Sequence, residues 1–242
     1  MKLKQILQTL DLISPFDTQA DWDNSGLCVG DKEADIEAIY LSLDADREVL
    51  SSMPENTLLV VHHPPIFKGL KALVPDRYPS DFLTLAIRKN IAIVSLHTNY
   101  DLSHLNRYVL QEVLGYKISH EEGHLCYFEV NKPFEVFAKE VAAKLGIENL
   151  SVVAYHDSIK TAALCTGSGM DLAREVEADC FLSGDIKYHD AKEAMENGLS
   201  LIDVKHYESE RFFAISLQKE LKNYGLNGII ANSKNPFSII KG

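Results

Sequence analysis

An α/β fold with mostly parallel central sheets is expected of this chain on three observations. Short apolar runs such as 58–61 (Leu-Leu-Val-Val) and 91–96 (Ile-Ala-Ile-Val-Ser-Leu) read as strands buried on both faces. Helical periodicities alternate with them, which gives β-α-β units with right-handed crossovers. Several of the runs end in histidine or a carboxylate, and open α/β sheets place their ligands at the carboxyl ends of strands.

The elements follow in order. Residues 3–12 carry apolar side chains at 3, 6, 7 and 10, a helical spacing closed by Ser14-Pro15. Residues 21–30 are turn-rich and predict a loop feeding a short strand, with Trp22 buried in a compact turn. A strand over 39–43 ends near Asp44, which suits either orienting a ligand or water or capping a helix from Arg47. Residues 81–89 are the crossover helix between the strands 58–61 and 91–96. Residues 67–78, with Lys68, Lys71 and Arg77, form a loop whose basic groups suit phosphate or plain solvent. A helix is expected over 103–114, capped by Gly115.

A second unit begins near Cys126. Strands are expected at 126–130, 152–155, 162–165 and 179–183, and helices at 134–145, 170–177 and 191–197. Thr166-Gly167-Ser168-Gly169 could turn backbone N–H groups toward a phosphate, but it lacks a P-loop lysine and dinucleotide-motif spacing. The run 199–204 leads into His206, and 212–224 reads as a closing helix.

The chain has 242 residues, enough for one large domain or two smaller ones, and a formal net charge of −11. That charge argues against broad contact with nucleic acid. No apolar stretch approaches the roughly 18 residues of a membrane span, and residues 1–4 lead into an amphipathic helix rather than a signal peptide. A cytoplasmic protein is expected. Cys28, Cys126, Cys165 and Cys180 are far apart and read as small apolar residues.

The chemistry concentrates at strand ends. His62-His63 follows 58–61 and is stopped by Pro64-Pro65; His97 and Asp101 follow 91–96; His206 and Glu210 follow 199–204. Four residues apart on a helix, His206 and Glu210 share a face and could grip an ion. Imidazole and carboxylate donors from three strand ends predict a metal site. Asp185, Lys187 and His189, at another strand end, are candidate substrate-facing groups, although Asp185 also suits a helix cap.

His62-His63-Pro64, 97–101 (His-Thr-Asn-Tyr-Asp) and 206–211 (His-Tyr-Glu-Ser-Glu-Arg) resemble motifs of the NIF-three-like family. So do 22–27 (Trp-Asp-Asn-Ser-Gly-Leu), Gly167-Ser168-Gly169 and 183–190 (Ser-Gly-Asp-Ile-Lys-Tyr-His-Asp), in order over almost the whole chain. The bacterial members of that family commonly carry the name GTP cyclohydrolase 1 type 2 homologue. The resemblance implies two α/β lobes, a dinuclear metal site in the cleft between them, and a toroidal homohexamer. The metal-binding lobe would be residues 1–117 with 205–242, and the second lobe 118–204. His62, His63, Asp101, His206 and Glu210 would ligate two divalent ions, with Glu210 bridging and His97 close by; Zn, Fe, Mn or a similar ion suits these donors. Type 1 cyclohydrolases use a single zinc with a cysteine ligand, and no cysteine lies in these motifs, so any such activity here would be achieved differently.

The function expected is metal-dependent hydrolysis of GTP, by opening of its imidazole ring with loss of formate toward 7,8-dihydroneopterin triphosphate. His97 or His189 would move protons, and Lys187 and Lys205 would meet the triphosphate. A nucleotide phosphoesterase or pyrophosphohydrolase with the same metals is the alternative, and a non-enzymatic metal chaperone or scaffold is a third reading.

Overall fold

The computed structural model of the chain describes residues 1–231 and 233–240. Its strands are β1 Gly26–Val29, β2 Ile39–Ser42, β3 Leu58–Val61, β4 Ala92–Ser95, β5 Ile118–Glu122, β6 Leu125–Pro133, β7 Val152–Val153, β8 Ser158–Leu164, β9 Cys180–Ser183, β10 Ser200–Asp203 and β11 Gly228–Ile230. The helices are α1 Leu3–Ile13, α2 Arg47–Ser52, α3 Ser80–Arg88, α4 Thr98–Tyr100, α5 Asn106–Tyr108, α6 Phe134–Leu145, α7 Tyr188–Glu196, α8 His206–Glu210 and α9 Phe213–Asn223. Among the described residues no helix is long and apolar enough to cross a membrane. The chain forms two compact units, Met1–Tyr100 with Phe213–Gly242, and Asp101–Phe212.

These borders differ from the expected 117/118 and 204/205. The buried amide of Asn106 explains the first: its Nδ2 donates to the His124 carbonyl at 3.1 Å, and its Oδ1 accepts from the Thr166 backbone at 2.8 Å. Those bonds tie residues after Tyr100 to the second unit. His206 and Glu210 belong to that unit as well.

The first unit holds a five-stranded sheet in the order β1-β4-β3-β2-β11, parallel except for the antiparallel β1–β4 pair. Apolar residues fill β3 because both of its faces are covered, and all four are fully buried. Val49 and Leu50 of α2 and Phe82 and Leu83 of α3 pack with Leu59 and Val61 in one core cluster. Register matters most for function. Ser42 pairs with Val61, and Val61 with Ser95, so β2, β3 and β4 end level with one another. Asp44, His62-His63 and His97 therefore leave the sheet at one edge. Antiparallel β1 starts there, since Gly26 pairs with Ser95, and this brings in the loop that carries Trp22 and Asp23.

The second unit holds a six-stranded sheet in the order β5-β6-β8-β9-β10-β7. Only β8–β9 and β9–β10 are parallel; β5–β6, β6–β8 and β7–β10 are antiparallel, so this sheet is mixed rather than mostly parallel. Tight turning explains one of the three antiparallel pairs. Gly123, at φ 54°, lets β5 fold straight back onto β6 with no crossover helix. The parallel trio ends level, Leu164 beside Leu182 and Ser183 beside Asp203, so Gly167, Asp185 and His206 follow from one edge.

Three local expectations change. Residues 170–177 form the 3-10 turn Met170–Leu172 and further tight turns, because Leu172, Ala173 and Glu175 donate three residues back rather than four. Asp101–Leu105 and Val109–Val113 are π-helical, flanking α5, where an α-helix was expected. Asp46, rather than Asp44, caps α2 by accepting from the Val49 backbone at 2.7 Å. Helix α6 follows its pattern: Phe137, Val141 and Leu145 are buried, and Gly146 closes it at φ 72°.

Glu140 on α6 lies between two ammonium groups, bonding Lys132 and, at 2.8 Å, Lys144. Burial alone would raise its carboxyl, but the bonds from the two lysines outweigh burial and hold it down at about 2 against an ordinary 4.5. A depressed folded value means stability that is present above pH 4.5 and lost as pH falls toward about 2. Glu140→Gln is therefore expected to flatten the fall in urea-unfolding free energy across that window, on the order of 1 kcal/mol. Equal slopes for variant and parent would refute the assignment.

Candidate metal-binding sites

In the first unit, the edge of the sheet assembles His62, His63 and His97, each offering one nitrogen within 4.8 Å of the others. His62 is buried and its Nδ1 donates to the Leu96 carbonyl at 2.8 Å. A carbonyl can only accept, so Nδ1 carries the proton and, in the neutral ring, Nε2 carries an electron pair that could ligate an ion. His63 Nδ1 meets Asp44 Oδ1 at 2.7 Å, and His97 Nδ1 meets Asp23 Oδ1 at 2.7 Å. Oxygen acceptors behind metal-facing imidazoles fix ring orientation and tautomer and raise ligand basicity. Of the two roles open to Asp44, the structure therefore gives it orientation of His63; Ser233 Oγ adds a bond to its other oxygen at 3.3 Å.

Asp23 is the least visible of these residues in the sequence. Its side chain is fully buried and also takes hydrogen bonds from the Thr98 backbone at 3.1 Å, from the Thr98 hydroxyl at 2.5 Å and from Ser25 Oγ at 3.2 Å. Burial by itself would raise this carboxyl; the bonds from His97 and Thr98 and the attraction of His97 override it and hold Asp23 well below the usual carboxylate range. The sequence marks it only as a residue of a turn before β1 and of the 22–27 motif.

In the second unit, α8 starts at His206, and its i, i+4 spacing puts His206 Nε2 3.0 Å from Glu210 Oε2. His206 Nδ1 meets Asp185 Oδ2 at 2.7 Å, so the carboxylate arrangement of His63 recurs here. Asp185, at φ 54°, is no helix cap; Asp190 bonds the Lys187 backbone at 3.1 Å and closes α7 instead. Asp101 and Glu210 are both buried; burial, and after it the charges of these two carboxylates, push the buried Cys165 thiol up. Lys205 is ion-paired with Asp203. Lys187 and His189 are exposed around the start of α7, with the His189 ring 5.3 Å from that of Tyr188.

The glycine turn serves the carboxylate, not a phosphate. The Gly167 N–H donates to Ser209 Oγ at 3.0 Å and the Gly169 N–H to Ser183 Oγ at 2.8 Å. A Cβ on Gly167 would stand 1.9 Å from Glu210 Oε1, and φ there is +64°. Imidazole and carboxylate donors of this kind, anchored from behind, fit a divalent ion of the Zn, Fe or Mn class. The cysteines do not take part in the hydrogen-bonded rings: Cys126, Cys165 and Cys180 are buried, and burial pushes Cys126 up to about 12.

Gly167→Ala is expected to cost more stability than Gly123→Ala, whose site has a like backbone angle but open space around it. The control loses only the left-handed term of about 1–2 kcal/mol, and Gly167→Ala adds overpacking of about 1–3 kcal/mol. Matching losses in urea titrations would show that Glu210 is not held against this glycine.

The chain matches the profile of the family described as Duf34/NIF3 (NGG1p interacting factor 3) over residues 1–236. A Campylobacter jejuni protein named GTP cyclohydrolase 1 type 2 homolog is 51% identical over 98% of this chain and 99% of its own length. A Helicobacter pylori protein named GTP cyclohydrolase 1 type 2 is 38% identical over 98% and 99%. Among solved structures, the Staphylococcus aureus hypothetical protein SA1388 superposes with a TM-score of 0.89 at 27% identity, covering 99% of both chains. Reduced HcgD from Methanocaldococcus jannaschii gives 0.80 at 26%, covering 95% and 97%. With that profile matched over nearly its whole length, and relatives aligned end to end, the chain belongs to the DUF34/NIF3 family.

Proposed function

We propose that this protein is a hydrolase dependent on two divalent cations, held by His62, His63, Asp101, His206 and Glu210, and that its substrate is GTP. The observation that carries the metal reading is the anchoring of His62, His63 and His206 through Nδ1 to Leu96, Asp44 and Asp185, which leaves Nε2 of each ring as the nitrogen that can meet an ion. The substrate reading is supported by the names of the Campylobacter and Helicobacter relatives. When bound, the metal supplies Lewis acidity and a water whose pKa is lowered toward neutrality.

The protein's own groups have distinct work in this reaction, in which one water adds at C8 and opens the guanine imidazole ring to a formamide, and a second water cleaves the formamide to release formate and an amine. Asp23 stays ionised and fixes the His97 ring by its Nδ1, so Nε2 is the nitrogen that exchanges protons with the substrate. His189 is a second proton carrier and Lys187 a contact for the triphosphate, both from the exposed start of α7. Lys205 is braced by Asp203, which lets it reach the triphosphate only by giving up that pair. Asp185 acts through His206 rather than by touching the substrate.

Elemental analysis of the purified protein, followed by a nucleotide screen that records both formate and phosphate, tests this reading. Metal in the protein with formate released from GTP, lost in His206→Ala and Glu210→Ala, is the expected result. Phosphate without formate would replace the cyclohydrolase by a phosphoesterase, and a metal-loaded, folded protein inert toward every nucleotide would remove the hydrolase altogether. Asp44→Asn and Asp185→Asn keep shape but weaken the acceptor behind a ring, and are expected to lower metal affinity about 10–100-fold in chelator competition. Unchanged affinity in both would show that these carboxylates do not tune ligands.

A further inference from the structure

Trp22 and Phe67 have no evident reason to face water. Trp22 is the single tryptophan of the chain and is 62% exposed; Phe67 is 44% exposed. Large aromatic rings normally contribute their area to a core. Here the sequence expectation of a buried tryptophan fails, and the two rings lie together with centroids 5.7 Å apart and planes at 51°.

Both rings also adjoin the imidazole cluster. The His97 ring lies 6.1 Å from Trp22 and 6.3 Å from Phe67, T-shaped to each, and His63 lies 5.6 Å from His97. The loops that carry the rings are tied down. Asn24 Nδ2 donates to the Ile66 carbonyl, which links the residues flanking Trp22 and Phe67, and Asp23 is held by His97 and Thr98. The arrangement is two exposed, mutually tilted aromatic rings, each T-shaped to the same imidazole. Aromatic faces held open beside a polar site suit a flat π-system, which stacks on one wall and meets the other at an angle.

We propose that Trp22 and Phe67 form a stacking seat for the heteroaromatic base of a nucleotide, next to His97. Continuity with His97 and His63 selects a small planar ligand as the occupant rather than another chain. The seat deepens the reading of the substrate as GTP and rests on it for the choice of probes, but stacking requires neither metal nor turnover. Binding and catalysis can therefore fail separately.

Because Trp22 is the only tryptophan, its fluorescence reports on this seat alone. Metal-stripped full-length protein is titrated with GTP, guanosine and inorganic tripolyphosphate, with free N-acetyltryptophanamide correcting for absorption by the base. Saturable quenching by GTP and guanosine, absent with tripolyphosphate, is expected. Phe67→Ala should raise the quenching midpoint at least about tenfold, and Trp22→Ala should weaken GTP binding in equilibrium dialysis to a similar degree. Both residues are exposed, and circular dichroism checks that the variants fold. Three results would each overturn the proposal: no saturable quenching by either guanine compound, quenching by tripolyphosphate alone, or Phe67→Ala and Trp22→Ala that bind GTP like the parent. A fall in oligomer size on sedimentation of either variant would assign the rings to contact with a second copy of the chain and likewise overturn it. Saturable quenching without formate production would keep the seat and remove the cyclohydrolase.

Discussion

Four imidazoles, those of His62, His63, His97 and His206, each give Nδ1 to an oxygen: one backbone carbonyl and three aspartates. A neutral imidazole has one donor and one acceptor nitrogen, and an unanchored ring can rotate or change tautomer. Holding Nδ1 fixes the ring plane and favours Nε2 as the electron-pair donor in His62, His63 and His97; His206 has a carboxylate at each nitrogen, Asp185 at Nδ1 and Glu210 at Nε2. The candidate chemistry depends on that constraint, because a cation needs donors already deprotonated and already aimed.

The aspartates can do this because the backbone brings them to the right edge. In each sheet, parallel strands in level register release their carboxyl ends side by side, so a carboxylate after one strand meets an imidazole after its neighbour. Asp44 follows β2 and reaches His63 after β3; Asp185 follows β9 and reaches His206 after β10. Asp23 arrives by the other route, from the start of antiparallel β1. Two sheets of different strand order thus use one device. Close packing supports it: Gly167 admits Glu210 at a distance no side chain would allow, and a π-helical turn starts at Asp101, a distortion frequent at functional sites.

The elements that could be read in advance were those whose burial is periodic. Helix α1 buries Leu3, Ile6 and Leu10, and β3 is apolar throughout because both of its faces are covered. The reading failed where local geometry competes. Residues 170–177 have helical spacing, yet the N–H groups of Leu172, Ala173 and Glu175 donate three residues back, to the carbonyls of Gly169, Met170 and Leu172. Strands β5 and β11 were not foreseen: β5 is largely exposed and polar, as an edge strand is, and β11 is only three residues long. Trp22 was expected inside a compact turn, and it instead lies exposed beside Phe67.

By itself the sequence determined the donor types and their strand ends: His62-His63, His97 with Asp101, and His206 with Glu210, since apolar runs and a four-residue helical spacing are local properties of the chain. Tertiary structure alone decided which aspartate stands behind which ring, that Asp185 orients rather than caps, and that Glu210 lies against Gly167. Those choices depend on strand order and register, which are fixed by burial and pairing between segments far apart in the chain, and no local pattern encodes them.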